Sequence, residues 1–207
     1  MKKDKLEENF LKEQGVKILP WVGDNYDKGI NGKKVMALGY SIYGNKPEDA
    51  APEATQNRME WYLDVEHVEF DLWMSTYTKF IRALSGEQIK RAESNDWWQK
   101  LMFYNYVQEP LTGARVVPSD EQLIASVDPF KAVLKAYLPD VILTWGKSLY
   151  QILPGFGGKK VESIDGNGVW IYNIDGHKIY VLEMTHPSVG YSWEYWHEVF
   201  EQLWARI

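Results

Sequence analysis

The chain of 207 residues carries a net charge of −6, and 45% of its residues are hydrophobic. This size and composition suit one globular domain, residues 1–207, with its own core. The sequence contains no cysteine, which excludes disulfides, thiolate zinc sites and cysteine-ligated iron–sulfur clusters. No stretch reaches the ~18 apolar residues of a membrane span, and no signal-peptide core follows the first lysines, so we expect a cytoplasmic protein without membrane contact.

Aromatic residues are numerous, with 10 tryptophans and 13 tyrosines. Such rings supply large buried areas to a core, and their polar tips need hydrogen-bond partners there. They also serve as stacking surfaces for bases or sugars. The negative net charge is not typical of a general nucleic-acid-binding protein. Composition therefore leaves both roles of the aromatic residues open.

Helical and strand patterns alternate along the chain. Helices are predicted at residues 4–15, in several pieces within 57–101, from 128 to 138, at 147–153 and from 192 onward. Strands are predicted at 34–39, 102–107, 141–146, 169–174 and 179–184, and Asp175-Gly176 predicts a type I′ hairpin turn between the last two. Strands separated by helices predict a small parallel sheet with helices on both faces.

Two of these strands end abruptly in small and polar residues. Residues 35–44 are V-M-A-L-G-Y-S-I-Y-G, and residues 181–188 are V-L-E-M-T-H-P-S. In open α/β sheets, ligands bind beyond the carboxyl ends of such strands. A third segment, 101–107, places Asn105 inside an apolar run, where a buried amide must find a partner or cost free energy. These three segments mark the candidate site.

Four segments, in order, resemble the motifs of the uracil-DNA glycosylase superfamily. The first family motif, a strand ending in G-Q-D-P-Y-H-G, is similar to G-Y-S-I-Y-G at 39–44. A strand with a base-reading asparagine is similar to 103–107, and a strand ending in W-G to 143–146. The family's H-P-S motif and DNA-probing loop are similar to 185–192. The resemblance spans about 35–192 and implies a three-layer α/β/α fold around a four-stranded parallel sheet of order 2-1-3-4.

The resemblance also implies an activity. Family members bind a flipped uracil or related damaged base in DNA and hydrolyse its N-glycosidic bond without metal or cofactor. By this resemblance the catalytic residues are His186, Ser41 and Asn105. His186 would stabilise the anion that develops on the base, and the Asn105 amide matches O4 and N3–H of uracil but mismatches cytosine.

The implied substrate contacts surround these three residues. Tyr43 would wall the pocket against a 5-methyl group, and Val189 and Tyr191 stand where family members place the residues that wedge the DNA. Together with Asn105, the implied substrate-binding residues are Gly39, Tyr40, Tyr43, Pro187, Ser188 and Tyr191. The expected partner is DNA, single-stranded or damaged, and we expect a monomer.

The sequence departs from the family pattern at several points. Ser41 stands where uracil-specific members carry a water-positioning aspartate, and a neutral hydroxyl does not offset a positively charged sugar. Tyr40 replaces a glutamate of other branches. No aromatic base-stacking segment follows Gly44, and the available rings are Tyr62, Trp73, Tyr77 and Phe80.

Simpler structural roles stay open for the same residues. His186 could cap a strand turn, Asn105 could tie two loops together, and Tyr43 could simply pack. His67 lacks a second histidine at i+4, so we expect a solvated helix face and no metal. Lys159-Lys160 follows a glycine-rich stretch without P-loop spacing, and we interpret it as a flexible turn near DNA phosphate.

Two other functions compete with glycosidic hydrolysis. One is a catalytically silent relative that retains the pocket and binds nucleic acid or a protein partner. The other is an unrelated small-molecule hydrolase on a doubly wound sheet, which the absence of a Gly-x-Ser-x-Gly elbow disfavours.

Overall fold

The computed structural model describes residues 2–113, 116–188 and 190–207. Its helices are α1 (Lys2–Glu13), α2 (Ala54–Leu63), α3 (Met74–Ser85), α4 (Asn95–Trp98), α5 (Asp120–Ala125), α6 (Val127–Tyr137), α7 (Lys147–Ile152) and α8 (Trp193–Trp204). Its strands are β1 (Trp21–Val22), β2 (Val35–Gly39), β3 (Leu101–Asn105), β4 (Val141–Trp145), β5 (Lys159–Ile164), β6 (Asn167–Ile174) and β7 (His177–Met184). Short 3-10 helices cover Pro47–Ala50 and Arg91–Glu93.

The described strands form one sheet in the order β1-β3-β2-β4-β7-β6-β5. Strands β3, β2, β4 and β7 are mutually parallel, and the outer strands β1, β6 and β5 pair antiparallel to their neighbours. The expected four-stranded sheet is therefore wrong, because the sheet has seven strands. The four strands whose ends contain the motifs nevertheless lie side by side. Because they are parallel, their carboxyl ends lie next to one another on the same side of the sheet.

Side chains alternate between the two faces of the central strands. In β2, Val35 and Ala37 pack into one core, and Met36 and Leu38 pack into a second core. Successive strand residues point to opposite faces, so strands buried on both sides have the continuous apolar sequences seen here. This alternation confirms the mixed α/β class.

Helices cover both faces of the sheet. The first core includes Phe80 of α3 and Phe200 of α8, and the second includes Leu11 of α1 and Phe130 of α6. Helix α8 begins after Ser192, whose hydroxyl accepts a hydrogen bond from the Tyr195 backbone N–H. This is the N-cap arrangement that serine favours.

The hairpin between β6 and β7 has the predicted turn. Asp175 and Gly176 both have positive φ angles, 51° and 89°, between the paired residues Ile174 and His177. Two positive φ values define a type I′ turn. Lys159 and Lys160, in contrast, do not form a turn, because they begin edge strand β5 and pair with β6.

Candidate functional site

A pocket of about 110 Å³ lies at the carboxyl ends of β2, β3, β4 and β7. An engineered apolar cavity of about 150 Å³ holds benzene, so the size of this pocket suits one planar ring. The structure brings Ser41, Asn105 and His186 together in its wall. The remaining lining residues are Gly39, Tyr40, Ile42, Tyr43, Arg58, Trp73, Thr76, Tyr77, Phe103 and Trp145.

Asn105 is the last residue of β3 and pairs with Gly39 of β2. Its side chain is buried, and its Nδ2 donates to Thr55 Oγ1 at 3.2 Å. The amide crosses Gly39 so closely that a Cβ at Gly39 would lie 2.6 Å from Oδ1. No described residue donates to that oxygen. One N–H is thus anchored on α2, while the Oδ1 acceptor and the second N–H are left for a ligand.

His186 lies two residues beyond β7, with its imidazole at the pocket wall. Its ring packs edge-on against Trp145 at 5.9 Å, and Nδ1 lies 3.0 Å from Ser188 Oγ. Burial lowers the pKa of the imidazole below its usual 6.5, so the ring is mainly neutral at pH 7. When Ser188 donates to Nδ1, the proton resides on Nε2, which then acts as a donor.

Hydrogen bonds from helix α3 and within the turn fix the backbone that follows His186. Lys79 Nζ donates to the Ser188 carbonyl at 2.9 Å, and the Ser188 N–H donates to the His186 carbonyl at 2.7 Å. Pro187 is buried between them. Pro187 and Ser188 therefore position the histidine and lie outside the pocket lining, so their expected role as substrate contacts stays a prediction.

The Ser41 hydroxyl is engaged with the backbone. Its Oγ lies 3.0 Å from the Ile42 carbonyl and 2.9 Å from the Glu109 carbonyl, and its single proton is donated there. Only its oxygen lone pairs are left to accept a hydrogen bond. Among the described residues that line the pocket, none is acidic. This wall therefore supplies no carboxylate to offset a positively charged sugar.

Aromatic rings form one side of the pocket. Tyr77 lies 5.4 Å from each of Trp73, Phe103 and Trp145, with the rings in edge-to-face contact. Burial raises the pKa of the Tyr77 hydroxyl well above its usual value, so the hydroxyl stays neutral. Of the four rings proposed for stacking, Trp73 and Tyr77 reach the pocket.

The other two stacking candidates lie in the first core. Tyr62 and Phe80 are both fully buried. The Tyr62 hydroxyl donates to Ser94 Oγ at 2.9 Å and lies 3.0 Å from Thr78 Oγ1. These two rings therefore support the pocket wall from behind, against Tyr77 and Trp145, and do not line the pocket.

Tyr40 and Tyr43 differ in how they meet the pocket. The Tyr40 ring packs against the second core. Asn105 points to the other face of the sheet, because it lies two residues after Phe103 of the first core on the same strand. Tyr43 is 37% exposed, and partial burial raises the pKa of its hydroxyl. Tyr43 therefore stands at the mouth of the pocket, where it limits access from solvent.

Arg58 is a pocket residue that the sequence did not indicate. Its Nη2 lies 3.3 Å from Asp49 Oδ1 and 3.4 Å from the Tyr43 carbonyl, and its guanidinium carbon lies 5.8 Å from the Trp73 ring centre. The Asp49 carboxylate in turn fills the space that a Cβ at Gly44 would need. Residues 54–58 carry no motif, and only the packing of α2 over the strand ends brings Arg58 and Thr55 to the site.

Tyr191, one of the two residues expected to wedge the DNA, lies outside the pocket lining. It is 8% exposed and stacks on Trp196 of α8 with an interplanar angle of 4°. The ring belongs to the first core and anchors the start of α8. Val189, the other proposed wedge residue, lies outside the described residues.

His67 and the other potential ligands form no metal centre in the described ranges, where no group of three or more His, Cys, Asp or Glu side chains could hold a metal ion. His67 is exposed and lies 2.9 Å from Asp64 Oδ1 on the same turn. No helix in the described part of the chain is long and apolar enough to cross a membrane. No protein-family model matches the chain, and no curated protein matches it significantly.

Proposed function

We propose that this pocket binds a flipped uracil, or a related damaged base, and that the protein hydrolyses the N-glycosidic bond of that nucleotide. One observation carries the proposal. A neutral imidazole, an amide whose oxygen and one N–H have no partner among the described residues, and an aromatic wall all line a pocket of the size of a single ring. The imidazole and the amide come from the ends of two parallel strands, and helix α3 with its N-cap residue supplies Tyr77 and Trp73 of the wall. This pattern suits a flat ring with both a donor and an acceptor.

In this proposal Asn105 recognises the base by hydrogen bonds. Its Oδ1 accepts from N3–H of uracil, and its remaining N–H donates to O4. Cytosine presents the opposite pattern at these two atoms and would leave the buried amide unpaired, which makes rejection strong. Because Thr55 holds the other N–H, the amide does not turn over to suit cytosine without losing that bond.

His186 acts on the bond that breaks. As the bond between N1 and C1′ opens, its electron pair moves into the base and negative charge grows on O2. A neutral imidazole that donates from Nε2 stabilises that charge. Water adds to C1′ and loses a proton, and the base leaves. No pocket carboxylate balances the positive sugar, so we expect slow turnover.

Base release from oligonucleotides tests the proposal. Substrates carry uracil, hypoxanthine, xanthine or hydroxymethyluracil, and alkaline cleavage reveals each abasic site. His186→Ala and Asn105→Ala should each slow release by roughly 10²–10³-fold, the usual loss on removing one such donor. The matched controls are His67→Ala and Asn57→Ala, which change exposed residues outside the pocket. Wild-type rates in folded His186→Ala and Asn105→Ala would refute the proposal.

A second candidate function, a silent relative that binds a protein partner, has its own supporting observation. Residues 60–72, beside the pocket, carry five carboxylates and no lysine or arginine. The same segment exposes Trp61, Phe70 and Leu72, the last at 82%. This surface repels phosphates and suits a basic, apolar partner. A folded protein without product on all four substrates would favour this function.

A further inference from the structure

A second pocket, of about 340 Å³, lies on the other side of the molecule's sheet, against the second core. It is a cleft, open to solvent on one side, bordered by α7, the connection 153–158 and strands β5 to β7. It shares no lining residue with the first pocket. Its volume falls within the ~300–1,000 Å³ typical of small-molecule sites. We name it the β-hairpin pocket.

The connection that walls the β-hairpin pocket is locked in place. Trp170 Nε1 donates to the Gly155 carbonyl at 3.3 Å, and a side chain at Gly158 would collide with the same indole. Phe156 has a φ of 43°, in the left-handed region that bulky residues avoid. Its ring packs on Tyr172 and Phe130, at 5.3 and 6.0 Å. Strain of this kind persists only where the surroundings enforce it.

The lining of the β-hairpin pocket is mainly aromatic and apolar, and it also includes the exposed Gln151 and Lys160. The rings of Tyr150, Trp170 and Tyr172 face it with the aliphatic side chains of Leu153 and Val181. Flat aromatic walls favour a planar ligand, because stacked or edge-on rings give the best contact.

The Tyr150 hydroxyl and the Lys160 ammonium group indicate which polar groups a ligand should carry. The Tyr150 hydroxyl is buried and has no hydrogen-bond partner among the described residues. Burial and the nearby Glu183 carboxylate raise its pKa to about 12, so it stays a donor in need of an acceptor. Lys160, the cross-strand partner of Trp170, is the single charged residue in the described lining. Because Glu183 repels an anion at the Tyr150 end, a ligand anion belongs at the Lys160 end.

We propose that the β-hairpin pocket binds a planar aromatic anion. The rings of the ligand pack among Tyr150, Trp170 and Tyr172, its anionic group meets Lys160, and a neutral oxygen at its far end accepts from the Tyr150 hydroxyl. This site is independent of glycosidic-bond cleavage, since it uses other residues on the other face of the sheet.

The probe is 6-hydroxy-2-naphthoate, which carries a carboxylate and a hydroxyl at opposite ends of two fused rings. Calorimetric titration should show saturable one-to-one binding. Lys160→Gln should weaken it by roughly threefold to tenfold, as expected for one ion pair or hydrogen bond. Tyr150→Phe should weaken 6-hydroxy-2-naphthoate to a similar extent but leave 2-naphthoate, which lacks the hydroxyl, unchanged.

The matched control is Lys159→Gln, which removes the same charge from the neighbouring residue of β5, outside the pocket lining. It should leave the affinity unchanged, as should His186→Ala in the first pocket. Absence of saturation up to millimolar probe, or equal losses in Lys159→Gln and Lys160→Gln, would overturn the inference. Loss of glycosylase activity alone would not affect it.

Discussion

Burial couples the protonation of His186 to folding. The imidazole is held among Trp145, Ser188 and the pocket wall, and removal from water disfavours its charged form. The pKa in the folded protein is therefore lower than in the unfolded chain. Between these two values the unfolded chain binds more protons, so the free energy of unfolding rises with pH. The contribution of His186 is fully present above the unfolded pKa of ~6.5 and is lost as the pH falls below it.

His186→Asn should remove this part of the pH dependence. Chemical denaturation at several pH values between 7.5 and 5.5 would give the free energy of unfolding for each protein. The wild type should lose more stability on acidification than His186→Asn, because the variant has no buried imidazole to protonate. His67→Asn, at an exposed histidine, should behave like the wild type. Equal slopes in wild type and His186→Asn would contradict the assigned burial.

The site residues lie at the ends of strands. A strand is recognisable in the sequence only where it is buried and therefore apolar. Strands β2, β3, β4 and β7 are buried on both faces, so their apolar runs were recognisable. Strand β5 begins with two exposed lysines at the sheet edge, where no apolar run is needed, and this is why it was predicted as a turn.

The site residues likewise fall into two groups, those that a local sequence pattern indicates and those that only tertiary packing brings to the site. Ser41 and His186 follow recognisable strands and Asn105 ends one, so their meeting in one pocket was predictable. Arg58 and Thr55 reach it only because α2 packs across the strand ends, which no local pattern encodes. Tyr191 is predicted as a wedge from its position after His186, and no local pattern indicates that its ring stacks on Trp196 near the start of α8.

A substitution at Gly39 tests whether the close approach of β2 and β3 shapes the pocket. A Cβ there would lie 2.6 Å from Asn105 Oδ1 and 3.1 Å from the Phe103 ring. Gly39→Ala should therefore displace the amide, slow the proposed uracil release and lower the free energy of unfolding by roughly 1–3 kcal/mol, as overpacking does. Gly113→Ala meets no atom within 4 Å and should change neither release nor denaturation. Equal behaviour of the two variants would refute the close approach.

At the scale of the molecule, the sheet has two edges that differ in how they avoid further pairing. Strand β1 has two residues, too few to present a useful row of backbone groups. Strand β5 has six, and its first two residues are Lys159 and Lys160. Its pairing with β6 also shifts register between Val161 and Ile164. Short length, edge lysines and irregular pairing are the means by which natural sheets avoid association through their edges.

We therefore expect the β5 lysines to prevent association through this edge. The double variant Lys159→Val, Lys160→Val replaces them with strand-forming apolar side chains and should self-associate in sedimentation velocity runs as its concentration increases. The control double variant, Lys147→Val, Lys178→Val, changes an exposed lysine of α7 and one of the inner strand β7. Both variants move the net charge from −6 to −8, since each loses two positive charges. Charge repulsion therefore increases equally in both, and association confined to the β5 variant would be due to the edge. A β5 variant that stays monomeric would show that the lysines do not protect this edge.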